Sequence, residues 1–264
     1  MYLRYRETDS RRAYRWSIVL FACGLLSKVS IVFAPVVLLF TDLLTGRPLN
    51  ANTLKTLSPY VGMSLLLGSV ALFGKAHQLD GAGIGELLLL GTHSTRFILQ
   101  KMVMPTGLTL FYPFEGAIAF SEPKLLISVA GTLLLLAMIP LLRKRFHIGS
   151  YGIVFFFLLL SPSFLNAWKN GYLDITFDKY VYAAMPGLLL PVGFLLANLL
   201  SQKTLRAITI ALCILLAPLT FVQARTWRDS TTLLEHNIRL QPSSTHALVN
   251  MGTTTYQAGD SEGH

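Results

Sequence analysis

"LLLLAMIPLLRKRFHIGSYGIVFFFLLL", residues 133–160, sets two apolar blocks on either side of a short basic patch, Arg143 to His147. An apolar block of membrane-crossing length, ended by clustered Lys and Arg and followed at once by another, reads as a helical hairpin. Its turn sits among the lipid headgroups on the cytoplasmic side. Working outward from this hairpin, the same alternation recurs along the chain.

Composition agrees with that reading. Of 264 residues, 53% are hydrophobic and 13% are charged, whereas a soluble domain of this length carries roughly twice the charged fraction to cover its surface. The apolar residues fall in long blocks rather than at amphipathic spacing, which predicts an all-α, polytopic transmembrane bundle. The net charge of +9 does not indicate nucleic acid as a partner, because the basic residues cluster at the ends of apolar blocks. Cys23 and Cys213 lie inside apolar blocks, far apart and without metal-ligand partners, and read as packing residues.

Blocks near 20 residues, enough to cross about 30 Å of hydrocarbon, fall at 16–44 (overlong), 59–74, 87–110, 125–142, 150–162 (short), 181–200 and 205–222. Seven spans put the start "MYLRYRETDSRRAYR", the 143–147 patch and the 201–206 loop "SQKTLR" on one side, which the Lys/Arg bias makes cytoplasmic. The loops at 45–58, 111–124 and 163–180, and everything after Phe221, then face outward. The charged start and the long block behind it do not match a cleavable signal peptide.

Three places carry polar chemistry. Lys28, in "GLLSKVSIVFAP", sits near the middle of the first block, at a cost of roughly 2.5–3.5 kcal/mol on insertion scales. Either 16–44 is one long tilted helix with Lys28 facing the bundle or snorkelling, or it is two shorter helices broken near Ser27 and Pro35. In the second case the orientation of everything before Gly83 changes. In "GTHSTRFILQKMVMP", His93, Arg96 and Gln100 share one helical face. With no carboxylate evident at that depth, Arg96 points to an anion such as phosphate, whose oxygens match its fork of donors, or to a partner beyond this chain. The outward stretch "SPSFLNAWKNGYLDITFDKYVYAAMPGLLL" holds Trp168, Tyr172, Tyr180 and Tyr182 as an aromatic belt at headgroup level. It also places Asp178 and Lys179 at the mouth of the bundle, where they are able to hold a sugar hydroxyl and a phosphate.

The tail "TWRDSTTLLEHNIRLQPSSTHALVNMGTTTYQAGD" aligns with the 34-residue tetratricopeptide pattern: Met251 and Gly252 on helix A, Gly259-Asp260 at its turn, Pro242 ending the preceding unit. Two antiparallel helices are expected at 227–241 and 244–257, with one apolar side of the second left uncovered. Such repeats need about three neighbours to be stable, so the chain reads as a fragment. Residues 1–224 form a membrane module lacking its first part, and residues 225–264 form the truncated start of a repeat α-solenoid.

In order, "LLSK", "MPTGLTLFYP", "DKYVYAAMPG" and "WRDSTTLLEHNIRLQP" make the chain resemble the membrane-plus-tetratricopeptide O-mannosyltransferase family and its bacterial relatives, which are similar to other GT-C glycosyltransferases. The resemblance covers about Tyr14 to the end. It implies inverting transfer of a sugar, such as mannose, from a polyprenyl-phosphate donor to a protein acceptor on the non-cytoplasmic side. The location would be the bacterial inner membrane or the endoplasmic reticulum, with the repeats docking the acceptor and no cofactor beyond the lipid-linked donor. The resemblance implies that Lys28 and Lys179 hold the donor phosphate together with Arg96, read above from its helical face, and that Asp178, Tyr180 and Tyr182, with His93 and Gln100 of that face, contact sugar or headgroup. The chain departs from the family pattern at Val29, where an acid is usual, and at Lys179, where Arg is usual. The family's acidic first outward loop has no counterpart here, although Glu115 and Glu122 lie in an outward loop. Two other readings stay open: a transporter or flippase of lipid-linked precursors, for which no second copy of the 16–44 pattern is found, and a noncatalytic membrane anchor for a repeat scaffold.

Overall fold

The computed structural model describes residues 1–27, 29–75, 83–164, 168–169 and 172–261. It is helical apart from one small ladder. The helices are α1 (Tyr2–Thr8), α2 (Arg11–Ser27), a 3-10 segment (Val29–Phe33), α3 (Ala34–Leu44), α4 (Ala51–Lys75), α5 (Ile84–Val103), α6 (Pro123–Arg143) and α7 (His147–Phe164). Two-residue strands β1 (Trp168–Lys169) and β2 (Tyr172–Leu173) pair antiparallel, and α8 (Asp178–Ala184), α9 (Pro186–Leu199), α10 (Gln202–Arg225), α11 (Ser230–Leu240) and α12 (Thr245–Ser261) complete the chain.

Three stretches are long and apolar enough to cross a membrane: Pro123–Arg143, Val181–Leu199 and Gln202–Arg225. Only 17%, 22% and 0% of their apolar windows are buried inside the protein, so most of their apolar surface faces outward. Helix α10 is the extreme case, apolar around its circumference with no residue buried. Such a helix is stable in hydrocarbon and costly in water. The protein is therefore a membrane protein.

Helix packing defines two ends of the bundle. Helices α6 and α7 are joined by the tight 143–147 turn, and α9 returns against α7 where Gly152 meets Gly187. The end holding Arg143 and the α9–α10 connection is the basic end. The opposite end holds the α6 N-terminus, the α7 C-terminus, α8, and the tail helices α11 and α12.

The first block resolves in favour of the broken pair. Helix α2 stops at Ser27 and α3 starts at Ala34 after the 3-10 segment. Helix α3 turns back so that its end meets α1, which packs on α2: the Tyr2 hydroxyl donates to Asp42 Oδ2 at 2.6 Å, and Arg6 Nε lies 2.8 Å from Asp42 Oδ1. Arg6 also reaches Thr53, and the Tyr14 hydroxyl donates to the Thr56 carbonyl at 2.9 Å. Phe40 sits edge-on to Tyr151, about one turn from the basic patch. The 45–50 connection and the start of α4 therefore lie at the basic end with the N-terminus, whereas seven alternating spans put a 45–58 loop at the opposite end.

A second correction concerns 87–110. Helix α5 ends at Val103, and residues 104–122 are irregular. Its first half meets Leu125, Ser128 and Phe164, and its second half meets Phe156, Leu160, Val181 and Ala184. Lys101 then bonds the loop carbonyls of Thr106 and Gly107. Helix α5 is thus set between the start of α6 and the second half of α7, and it is not among the three stretches long and apolar enough to cross. Its polar residues His93, Arg96 and Gln100 on one face and Lys101 on another suit such a position, because charge placed across bare hydrocarbon is expensive.

The tail forms the expected helix pair, with Asp229 capping α11 by accepting from Thr232 N at 2.8 Å. Leu234 and Ala247 are buried with Phe111 and Phe177, and Ile238 and Met251 pack around them. Leu248, Val249 and Tyr256 of α12 remain exposed.

Candidate functional site

The α5 helix offers two polar faces to the tail end, and they lead to different places. On the α6 side, buried His93 places Nδ1 3.1 Å from Ser128 Oγ, and Arg96 Nε donates to the same oxygen at 3.1 Å. Arg96 Nη1 donates to Gln100 Oε1 at 3.4 Å. The three residues of the expected stripe are thus together, joined through Ser128. No carboxylate among the described residues pairs with Arg96.

On the α8 side, a cavity of about 140 Å³ opens between Phe97, Ile98, Lys101 and Met102 of α5 and Asp178, Val181, Tyr182 and Met185. Its walls are mostly apolar. The polar groups reaching it are the Lys101 ammonium, the Asp178 carboxylate and Thr176, whose buried hydroxyl has no hydrogen-bond partner. Lys101 stands over the Phe97 and Tyr112 rings at 5.3 and 5.7 Å, a cation–π arrangement that holds the ammonium beside the cavity.

Asp178 lies just ahead of the membrane-crossing stretch Val181–Leu199. Burial holds its carboxyl above the ordinary carboxylate value of 3.8, while the Tyr112 hydroxyl, donating at 3.2 Å, and the positive charge of Lys101 act in the opposite sense. Burial also raises the Tyr112 phenol well above its usual range, with the negative charge of Asp178 adding to it. A carboxylate of raised proton affinity beside a cation is suited to accepting a proton from a hydroxyl.

A second recess of about 170 Å³ lies between the loops and the start of α12. There His246 Nδ1 is 3.0 Å from Asp174 Oδ2, His246 stacks on Phe111 with ring centroids 3.8 Å apart, and Ser243 donates to Glu115. This recess joins tail to bundle.

Set against the sequence expectations, Asp178 and the exposed Tyr182 share the α8-side cavity, whereas His93, Arg96 and Gln100 gather on the α6 side. Lys28 lies outside the described residues, as do the side chains of Lys179, Tyr180, Trp168 and Tyr172 and the Asn170-Gly171 turn. Lys101, Tyr112, Thr176 and Asp174 were not anticipated. Lys101 had a signal, since it falls one helical turn after Phe97. Tyr112 and Thr176 had none, because pairing of two loops brings Tyr112 to Asp178 and Thr176 to the cavity wall. No protein-family model matches the chain, and neither does any curated protein or solved structure.

Proposed function

We propose that the protein is a membrane glycosyltransferase module that transfers a sugar, such as mannose, from a polyprenyl-phosphate donor to a protein hydroxyl on the non-cytoplasmic side. The observation that carries this reading is the cavity at the tail end, where Asp178 and Lys101 stand together among apolar walls. In the reaction the acceptor oxygen attacks the anomeric carbon from the face opposite the phosphate and gives its proton to the Asp178 carboxylate. The anomeric carbon–oxygen bond to phosphate breaks, its electron pair leaves with the lipid phosphate, and a cation stabilises that charge.

Lys101 takes this phosphate role, whereas Arg96, turned to the α6 side of the same helix, does not line the cavity. Lys28 and Lys179 remain candidates by the family resemblance. The clustering of Arg143, Lys144, Lys203 and Arg206 at the end far from the cavity supports a cytoplasmic basic end and an outward tail. In the same reading α11 and α12 open a tetratricopeptide array that docks the acceptor, and the exposed Leu248, Val249 and Tyr256 face is where the next helix packs.

The test is transfer of radiolabelled sugar from a polyprenyl-phosphate donor to protein in membranes containing the chain. Label is expected with the natural sequence and is expected to vanish with Asp178→Asn. Chain-dependent transfer that is equal in the two removes Asp178 as the base, and label no higher than in membranes lacking the chain sinks this reading and favours an anchor role.

A further inference from the structure

We infer that helix α11 is a positioning element for Asp178, acting through a side-chain clamp on residues 108–111 that sets the Tyr112 hydroxyl against the carboxylate. The clamp is built from the tail. Asn237, fully buried, accepts from Phe111 N at 2.7 Å and donates to Phe111 O at 3.4 Å. His236 Nε2 stands 3.1 Å from Leu108 O, and Gln223 Nε2, near the end of α10, donates to the same oxygen at 3.1 Å. His246 of α12 stacks on the Phe111 ring.

These contacts fix a stretch that has no helix of its own to hold it. The next residue after the clamp is Tyr112. Its hydroxyl accepts from Thr109 N at 2.9 Å and donates to Asp178 Oδ2 at 3.2 Å. The 112–114 backbone also pairs with 173–175, through Ile175 N to Tyr112 O and Phe114 N to Leu173 O. The chain leading into Asp178 is therefore held from the same strand that the tail grips. A buried amide with two backbone partners is an expensive anchor to disturb, because losing it leaves the Phe111 amide unsatisfied and its carbonyl with the Thr109 hydroxyl alone.

The groups facing Asp178 are Lys101 from α5, Tyr112 from the clamped loop and Tyr182 from its own helix. Of these Tyr112 is the one the clamped stretch carries directly to the carboxylate, while Lys101 borders it through the Thr106 and Gly107 carbonyls. The consequence for transfer rests on the glycosyltransferase reading above, but the geometry does not.

A readout free of sugar chemistry separates the two. A hydrophobic carbodiimide labels protonated carboxyl groups, and fragment-ion mass spectrometry of the 172–185 region assigns the label to Asp178 rather than Asp174. With Tyr112→Phe the ionised carboxylate loses its hydrogen bond, so the labelling profile is expected to move to higher pH and the rate at pH 7 to rise several-fold. Asn237→Ala is expected to move it the same way. The double variant is expected to go no further than Tyr112→Phe alone, as for residues acting in series. If Asn237→Ala loosens the tail altogether, seen as new tryptic cleavage at Arg228 or Arg239, the same upward shift is still expected because the clamp is gone. An unshifted profile with Asn237→Ala, tail folded or not, overturns the inference, and so does a double variant whose shift is the sum of the single ones. Loss of sugar transfer plays no part in either outcome.

Discussion

Gly152 and Gly187 face one another so closely that a Cβ on Gly152 would stand 2.0 Å from the Gly187 carbonyl oxygen, and one on Gly187 would stand 2.6 Å from Gly152 O. This backbone contact brings α9 against α7 and so places Val181 and Ala184 beside Phe156 and Leu160. In lipid, where apolar side chains gain little by leaving the solvent, close backbone approach is a main source of helix association.

Gly152→Leu is therefore expected to push α9 away and lower stability by about 1–3 kcal/mol or more. Thermal unfolding in detergent measures this. Gly193→Leu, on an open face of α9 with nothing within 4 Å of an added Cβ, is the control expected to unfold like the natural protein.

The buried Asp42, 2% exposed, takes the Arg6 guanidinium and the Tyr2 hydroxyl together. Removing one partner leaves a charge without compensation, so Arg6→Met is expected to cost about 3–5 kcal/mol. Double replacement, Arg6→Met with Asp42→Leu, is expected to recover most of it. Recovery absent in the double variant would mean that the pair does not account for the loss.

Asp178 gives a pH signature of definite sign. Its folded carboxyl binds a proton more readily than the ordinary value of 3.8 implies, so the folded state holds more protons than the unfolded one as pH rises from that value through the folded one. Stability contributed at this position is then highest at acid pH and falls across that window. Asp178→Asn is expected to unfold at higher temperature than the natural protein at neutral pH, with the difference fading as pH approaches 3.8. A gap that widens on acidification contradicts the burial argument.

Topology offers a direct check on the fold-back of α2 and α3. Reporters fused after Leu49 and after Lys144 are expected on the same side, and one fused after Arg225 on the other. Seven alternating spans put Leu49 with Arg225 instead, so the Leu49 fusion decides between them.

Much of this protein is legible in its sequence where a local rule suffices. The 143–147 turn stands where basic residues interrupt apolar blocks and the α11–α12 break stands at Pro242, while the α11 start, expected at 227, falls later, behind the Asp229 cap. Even the grouping of His93, Arg96 and Gln100 follows from helical spacing alone. The sequence likewise determined the solvent, since blocks as long and apolar as Gln202–Arg225 fit only hydrocarbon. Apolarity measures how strongly a segment avoids water, but it carries no direction. Whether the 16–44 block crosses or folds back depended on Asp42 meeting Tyr2 and Arg6, and whether α5 crosses depended on the ends of α6, α7 and α8. The cavity was decided in the same way: Lys101, Tyr112 and Asp178 lie up to 77 positions apart in the chain and meet because loop pairing and the Asn237 clamp bring them together. Contacts between distant segments fixed the site, and no local pattern records them.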